Sequence, residues 1–111
     1  MKRYIQLAKH YADYRKFCDV FERLCAMHDM FSKDREQYGY NPMLSIDQEM
    51  LQWEFIYAIA DNPALAQLAI DFKLHEYVLR RYPGAWGIVE VLHQCVYEPK
   101  LFRAEHIDGR D

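Results

Sequence analysis

Glycine and proline are scarce in this 111-residue chain, and each one stands at a segment border. The glycines are Gly39, Gly84, Gly87 and Gly109; the prolines are Pro42, Pro63, Pro83 and Pro99. Residues 1–38 carry neither. Four scattered glycines cannot form a loop that cradles phosphate. Serine is rarer still: only Ser32 and Ser45 occur, neither in the setting of an activated nucleophile. His75-Glu76 lacks the second histidine of a zinc-protease helix. No motif calls for a cofactor. A catalytic role is therefore not expected.

Long apolar runs are also missing, so no membrane association is expected. No apolar run follows Lys2 and Arg3, so no signal peptide is expected either. Cysteines number three. Cys18 and Cys25 sit seven apart, about 10.5 Å along a helix, too far for a disulfide. Reduced thiols point to the cytoplasm. Cys25 and His28 share a helical face with Cys18. A second ligand pair is lacking, because His93 and Cys95 would point to different faces. Core packing is expected of these side chains, and no metal.

What the chain does have is apolar and aromatic surface. Hydrophobic residues make up 51% and aromatic residues 15%, a globular composition. Glycine and proline divide the chain into pieces of roughly 3–36, 45–61, 63–82 and 85–97, followed by a tail. In the first piece, Tyr4, Leu7, Tyr11, Tyr14, Cys18, Phe21, Cys25 and His28 recur at helical spacing. Phe17, Val20, Leu24, Met27 and Phe31 run alongside. The pattern predicts one long helix, with a break near Asp13. So wide an apolar face belongs to the centre of a bundle or to a dimer core. The last helix, the tail or a second copy is expected to help cover it.

Ser45 and Gln48 match a capping box and predict the start of the second helix. Met50, Trp53, Tyr57 and Ala60 form its main stripe, with Leu51, Phe55 and Ile59 widening it. Asn62-Pro63 predicts a cap and first turn for the third helix. Pro83-Gly84 stops that helix. Residues 85–97 fit a helix better than a strand, because no second strand is available to pair with them. Leu101 and Phe102 are candidates to dock the tail on the core. The expected fold is all-α: residues 1–111 as a single helical domain, a compact bundle of four to five helices with a long N-terminal helix, and a tail partly flexible from about residue 98.

Net charge is −3 and uneven. Residues 41–61 hold Asp47, Glu49, Glu54 and Asp61 with no Lys or Arg. That segment either faces a basic partner or is a solvated helix face. Residues 65–82 have offsets compatible with a helix-turn-helix, which would expose His75, Glu76, Arg80 and Arg81. The usual turn glycine is replaced by Lys73, and one continuous helix explains the same residues. Tyr38 and Tyr40 lie in an aromatic connection beside Asn41-Pro42, a candidate recognition loop. Trp86, flanked by Gly84 and Gly87, is either a buried plug or an interface anchor, and the plug is the simpler expectation. The function expected is that of a small regulatory protein that binds another protein, as a homodimer. A DNA-binding regulator acting through 65–82 is the alternative, with Arg80 and Arg81 as its contacts.

Overall fold

The structure is a computed structural model. It describes the backbone of residues 2–38 and 42–108 and the side chains of 2–30 and 46–108. The described residues form seven α-helices and one 3-10 turn, with no strand among them. In chain order these are α1 (Lys2–Lys9), α2 (Tyr11–Tyr38), α3 (Pro42–Asp61), α4 (Pro63–Asp71), α5 (Leu74–Arg81), the 3-10 turn Pro83–Ala85, α6 (Trp86–Tyr97) and α7 (Pro99–His106). The all-α class is as expected; the helix count is higher than four to five.

The additional helices come from three places. The first predicted helix is two, interrupted at His10 rather than near Asp13. Asn62 Nδ2 donates to His10 Nδ1 at 3.2 Å and ties the interruption to the α3–α4 junction. The short α1 then lies along α4, with Tyr4 set edge-on to Phe72 at 5.5 Å. No residue of α1 is buried. The second addition lies within 63–82, where one continuous helix was expected. Phe72 and Lys73 form a turn, and Lys73 takes a left-handed backbone conformation at φ 59°. A non-glycine residue rarely adopts this conformation, which is why one continuous helix was expected; the turn falls at Lys73, the position that the helix-turn-helix alternative gave it. The third addition is the tail. Phe102 on α7 is buried and Leu101 beside it is exposed, so one of the two expected anchors docks.

Pro63 begins α4 as the sequence indicated. Asn62 stands at the cap position, but its side chain makes no capping bond. Its amide goes to His10 instead. Helix α3 starts at Pro42, three residues before Ser45, so the Ser45–Gln48 capping box does not mark its start. Proline suits a first helical position because its missing N–H has no partner there anyway. Residues 86–97 are helical, as expected.

The core is built on three phenylalanines from two helices. Phe17 and Phe21 of α2 stack at 5.6 Å, and Phe55 of α3 lies 5.5 Å from Phe21 and 6.0 Å from Phe17. Leu24, Ile59, Leu65, Val78, Leu92 and Phe102 bring α2 to α7 into one buried set. The centre of the apolar face of α2, at Phe17, Phe21, Leu24 and Cys25, is buried within the chain, where α2 packs on α3, α4 and the 3-10 turn, while Tyr11 is exposed.

The 3-10 turn is fastened to α2 at one point. The buried Asp29 carboxylate accepts a hydrogen bond from Gly84 N at 2.8 Å. His28 Nδ1 lies 3.4 Å from Gly84 O, a contact that the tautomer with its proton on Nδ1 makes a hydrogen bond, because a carbonyl can only accept. A carboxylate suits this position, because the following helix α6 presents its positive end here.

Candidate surface on the outer face of α3

Helix α3 is apolar on two opposite sides. At 100° per residue, Leu51, Phe55 and Ile59 centre roughly 170° away from the stripe Ile46, Met50, Trp53 and Tyr57. Two such stripes cannot face one core. Leu51, Phe55, Ile56 and Ile59 are the buried set. The other stripe faces outward: Ile46 is 54% exposed, Met50 64% and Tyr57 50%. Trp53 is half-buried and stacks on Tyr57 at 5.2 Å. The sequence expectation joined both sets into one widened stripe; the structure separates them, burying Leu51, Phe55 and Ile59 and leaving Met50 and Tyr57 outside.

The outward stripe has the spacing of a helix-pairing seam. Its members fall 4, 3 and 4 apart, within an arc of roughly 60°. Exposed carboxylates border it. Asp47, Glu54 and Asp61 stand seven apart along one edge, and Glu49 stands on the other. Among the described residues none forms an ion pair with these four. Two shallow depressions flank the seam. One, of about 330 Å³, lies between α2 and α3 against Arg23, Met27, Met50 and Glu54. The other, of about 240 Å³, is bounded by Glu49, Gln52, Trp53 and Ile56.

The residues singled out from the sequence are scattered by comparison. The side chain of Tyr38, and Tyr40 altogether, lie outside the described residues. Trp86 opens α6 and is 60% exposed, so it is not the plug that was the simpler expectation. The 3-10 turn before it holds Ala85 in the core and leaves the indole outside. Arg80 and Arg81 end α5, both exposed. Arg81 is engaged within the chain: it donates to the Tyr77 hydroxyl at 2.9 Å, lies 3.8 Å from Glu22 and sits over the Tyr82 ring. The Tyr77 hydrogen bond, with its other neighbours, holds the guanidinium above its already high range. No described contact joins Trp86 to either arginine.

A second groove of about 560 Å³ lies between α6 and α7, lined by Glu90, His93, Gln94, Tyr97, Glu105 and His106. Its polar groups largely serve each other. His106 Nε2–H donates to Gln94 Oε1 at 2.9 Å, and Gln94 Nε2 donates to Glu105 at 3.1 Å. Burial and the neighbouring His75 ring, 5.0 Å away, lower the His93 pKa.

Among the described residues no group of three or more His, Cys, Asp or Glu side chains is placed to hold a metal ion. Cys25 lies in the core, while His28 turns to Gly84. No helix among the described residues is long and apolar enough to cross a membrane.

The thiols give a pH prediction. Burial pushes Cys25 up to about 12 and Cys95 up to about 11, from an ordinary 9.0. The native state keeps these protons at pH values where the unfolded chain loses them. The stabilisation is therefore full below pH 9 and is lost as pH rises towards 11 and 12. Each thiol contributes a slope of at most about 1.4 kcal/mol per pH unit. Urea denaturation from pH 8 to 10 should show stability falling above 9, and a Cys25→Ala variant should show a shallower fall.

No protein-family model matches this chain, and comparison with curated proteins and with solved structures finds no match.

Proposed function

We propose that this chain is a small non-catalytic protein that binds another protein and modulates it, with the outer face of α3 as its docking surface. The observation that carries this reading is the exposed stripe Ile46, Met50, Trp53 and Tyr57. Scattered exposed apolar residues are ordinary, but an ordered row of them on one helix marks an interaction site. Its chemistry suits a hot spot: tryptophan and tyrosine within the stripe, carboxylates at its edges.

The homodimer expectation had its motive in the wide face of α2. The centre of that face is buried within the chain, and self-association is carried forward as a reading to be tested. The second reading, DNA binding through α4, the Phe72–Lys73 turn and α5, is favoured by the turn itself and by exposed Lys73, Arg80 and Arg81. Against it stand Glu76 on the same helix, the engagement of Arg81 with Glu22, and the net charge of −3. Phosphate contacts supply most non-specific DNA affinity.

Affinity capture from the native source, with and without nuclease, separates the two. The protein-binding reading predicts a captured protein that survives nuclease and an Arg80→Ala/Arg81→Ala variant. It predicts loss of that protein, by about tenfold or more, in Met50→Glu/Tyr57→Glu. Capture that disappears with nuclease or with the arginine variant would favour the DNA reading.

A further inference from the structure

We propose that the occupant of the α3 seam is an amphipathic helix from a different protein, its apolar ridge flanked by lysine or arginine. This inference rests on the protein-binding function proposed above and names the partner's chemistry. Three observations lead to it. The stripe repeats at 4, 3 and 4 residues on a helix, the spacing that accepts another helix's ridge. The exposed part of α3 from Ile46 to Tyr57 is continuous helix, so an extended strand would find no free backbone groups to pair with. On α3 itself the stripe is edged by Asp47, Glu54 and Asp61 on one side and Glu49 on the other, with no Lys or Arg in residues 41–61; Lys16 and Arg23 of α2 lie beside the first row, which leaves carboxylates in excess there.

The charge also argues against a second copy on this face. A two-fold pairing presents the same patch on both partners. Two α3 helices packed seam to seam would set the row Asp47, Glu54 and Asp61 against its own copy. Like charges at such flanking positions oppose pairing. A basic-flanked helix meets the same row with opposite charge, which both steers its approach and fixes its register.

The test uses two synthetic peptides of about three heptads. They share one leucine seam; one has lysine at the flanking positions, the other glutamate. Binding to the full chain is followed by the anisotropy of a label on the peptide. The lysine peptide should bind at least about tenfold more tightly than the glutamate peptide. A Glu49→Lys/Glu54→Lys variant should reverse that order. Met50→Glu separates seam docking from general attraction between opposite charges. It adds a negative charge, so purely electrostatic binding would strengthen, whereas docking on the seam should weaken by about tenfold.

Equal affinity for the two peptides, binding of neither, or tighter binding by Met50→Glu would overturn the proposal. So would sedimentation showing a dimer that Met50→Glu converts to monomer, because a second copy would then occupy the seam. These failures are distinct from failure of the function itself. If the peptides fail while Met50→Glu/Tyr57→Glu still loses the captured protein, the docking face stands and only its partner's chemistry is wrong.

Discussion

Phe21→Ala should lower the unfolding free energy by about 3–5 kcal/mol, measured by urea denaturation. A domain of this size has roughly 5–15 kcal/mol in total, so the variant stands near the edge of folding. The size of the loss follows from where Phe21 sits. Its ring is fully buried and stacks on both Phe17 and Phe55, joining α2 to α3. Truncation removes the transfer free energy of the ring and leaves a cavity between two helices that other contacts hold in place. It also breaks two ring stacks, each contributing about 0.5–1.5 kcal/mol beyond its area. Tyr57→Ala provides the contrast. Its side chain lies on the outer face of α3, and its removal should change stability by only about 0.5 kcal/mol. If Tyr57→Ala were as costly as Phe21→Ala, the assignment of the two faces of α3 would be wrong.

Gly84→Ala should cost about 2–4 kcal/mol, although it adds a single methyl group. A Cβ at this position would lie 2.8 Å from Asp29 Oδ1 and 3.2 Å from the Asp29 Cα. The carboxylate could swing away only by giving up its bond to Gly84 N. The second contact is with the backbone of α2, which cannot yield without disturbing the core beneath it. Asp29→Asn keeps an acceptor oxygen for Gly84 N and should cost less than Asp29→Ala, which strands that amide. Denaturation curves for the three variants should rank Asp29→Asn as the mildest. Gly84 is thus required for close approach, and its role as a border between segments is a consequence of that approach.

The borders legible in the sequence were those set by local chemistry. Pro63 and Pro83 mark the starts of α4 and the 3-10 turn because proline both fits a first helical position and cannot extend a preceding helix. The helical reading of 85–97 succeeded because no strand partner existed. The missed borders depend on partners far along the chain. The interruption at His10 is bonded to Asn62, and the turn at Phe72–Lys73, considered only as the helix-turn-helix alternative, uses a residue that gives no local sign of a left-handed conformation. The Ser45–Gln48 box is locally plausible, yet Pro42 starts the helix first.

The site was half legible. Met50, Trp53 and Tyr57 were recognised as one stripe, and the acidic run around them was recognised as partner-facing or solvated. They were joined with Leu51, Phe55 and Ile59 into one widened stripe. The decisive signal was present in the numbering: Leu51, Phe55 and Ile59 lie on the opposite side of the helix and are equally apolar. A helix apolar on two opposite sides has one face to spare, unless it lies wholly inside the protein. Four carboxylates within 47–61 rule out the wholly buried case.

The account depends most on the outer face of α3 being where a partner binds. A photo-activated cross-linking side chain placed at Met50, and separately at the exposed Arg103 of α7, tests this directly in cells that produce the protein. The account predicts a discrete adduct with another protein from position 50 and none from position 103. No adduct from position 50, or the same adducts from both positions, would contradict it.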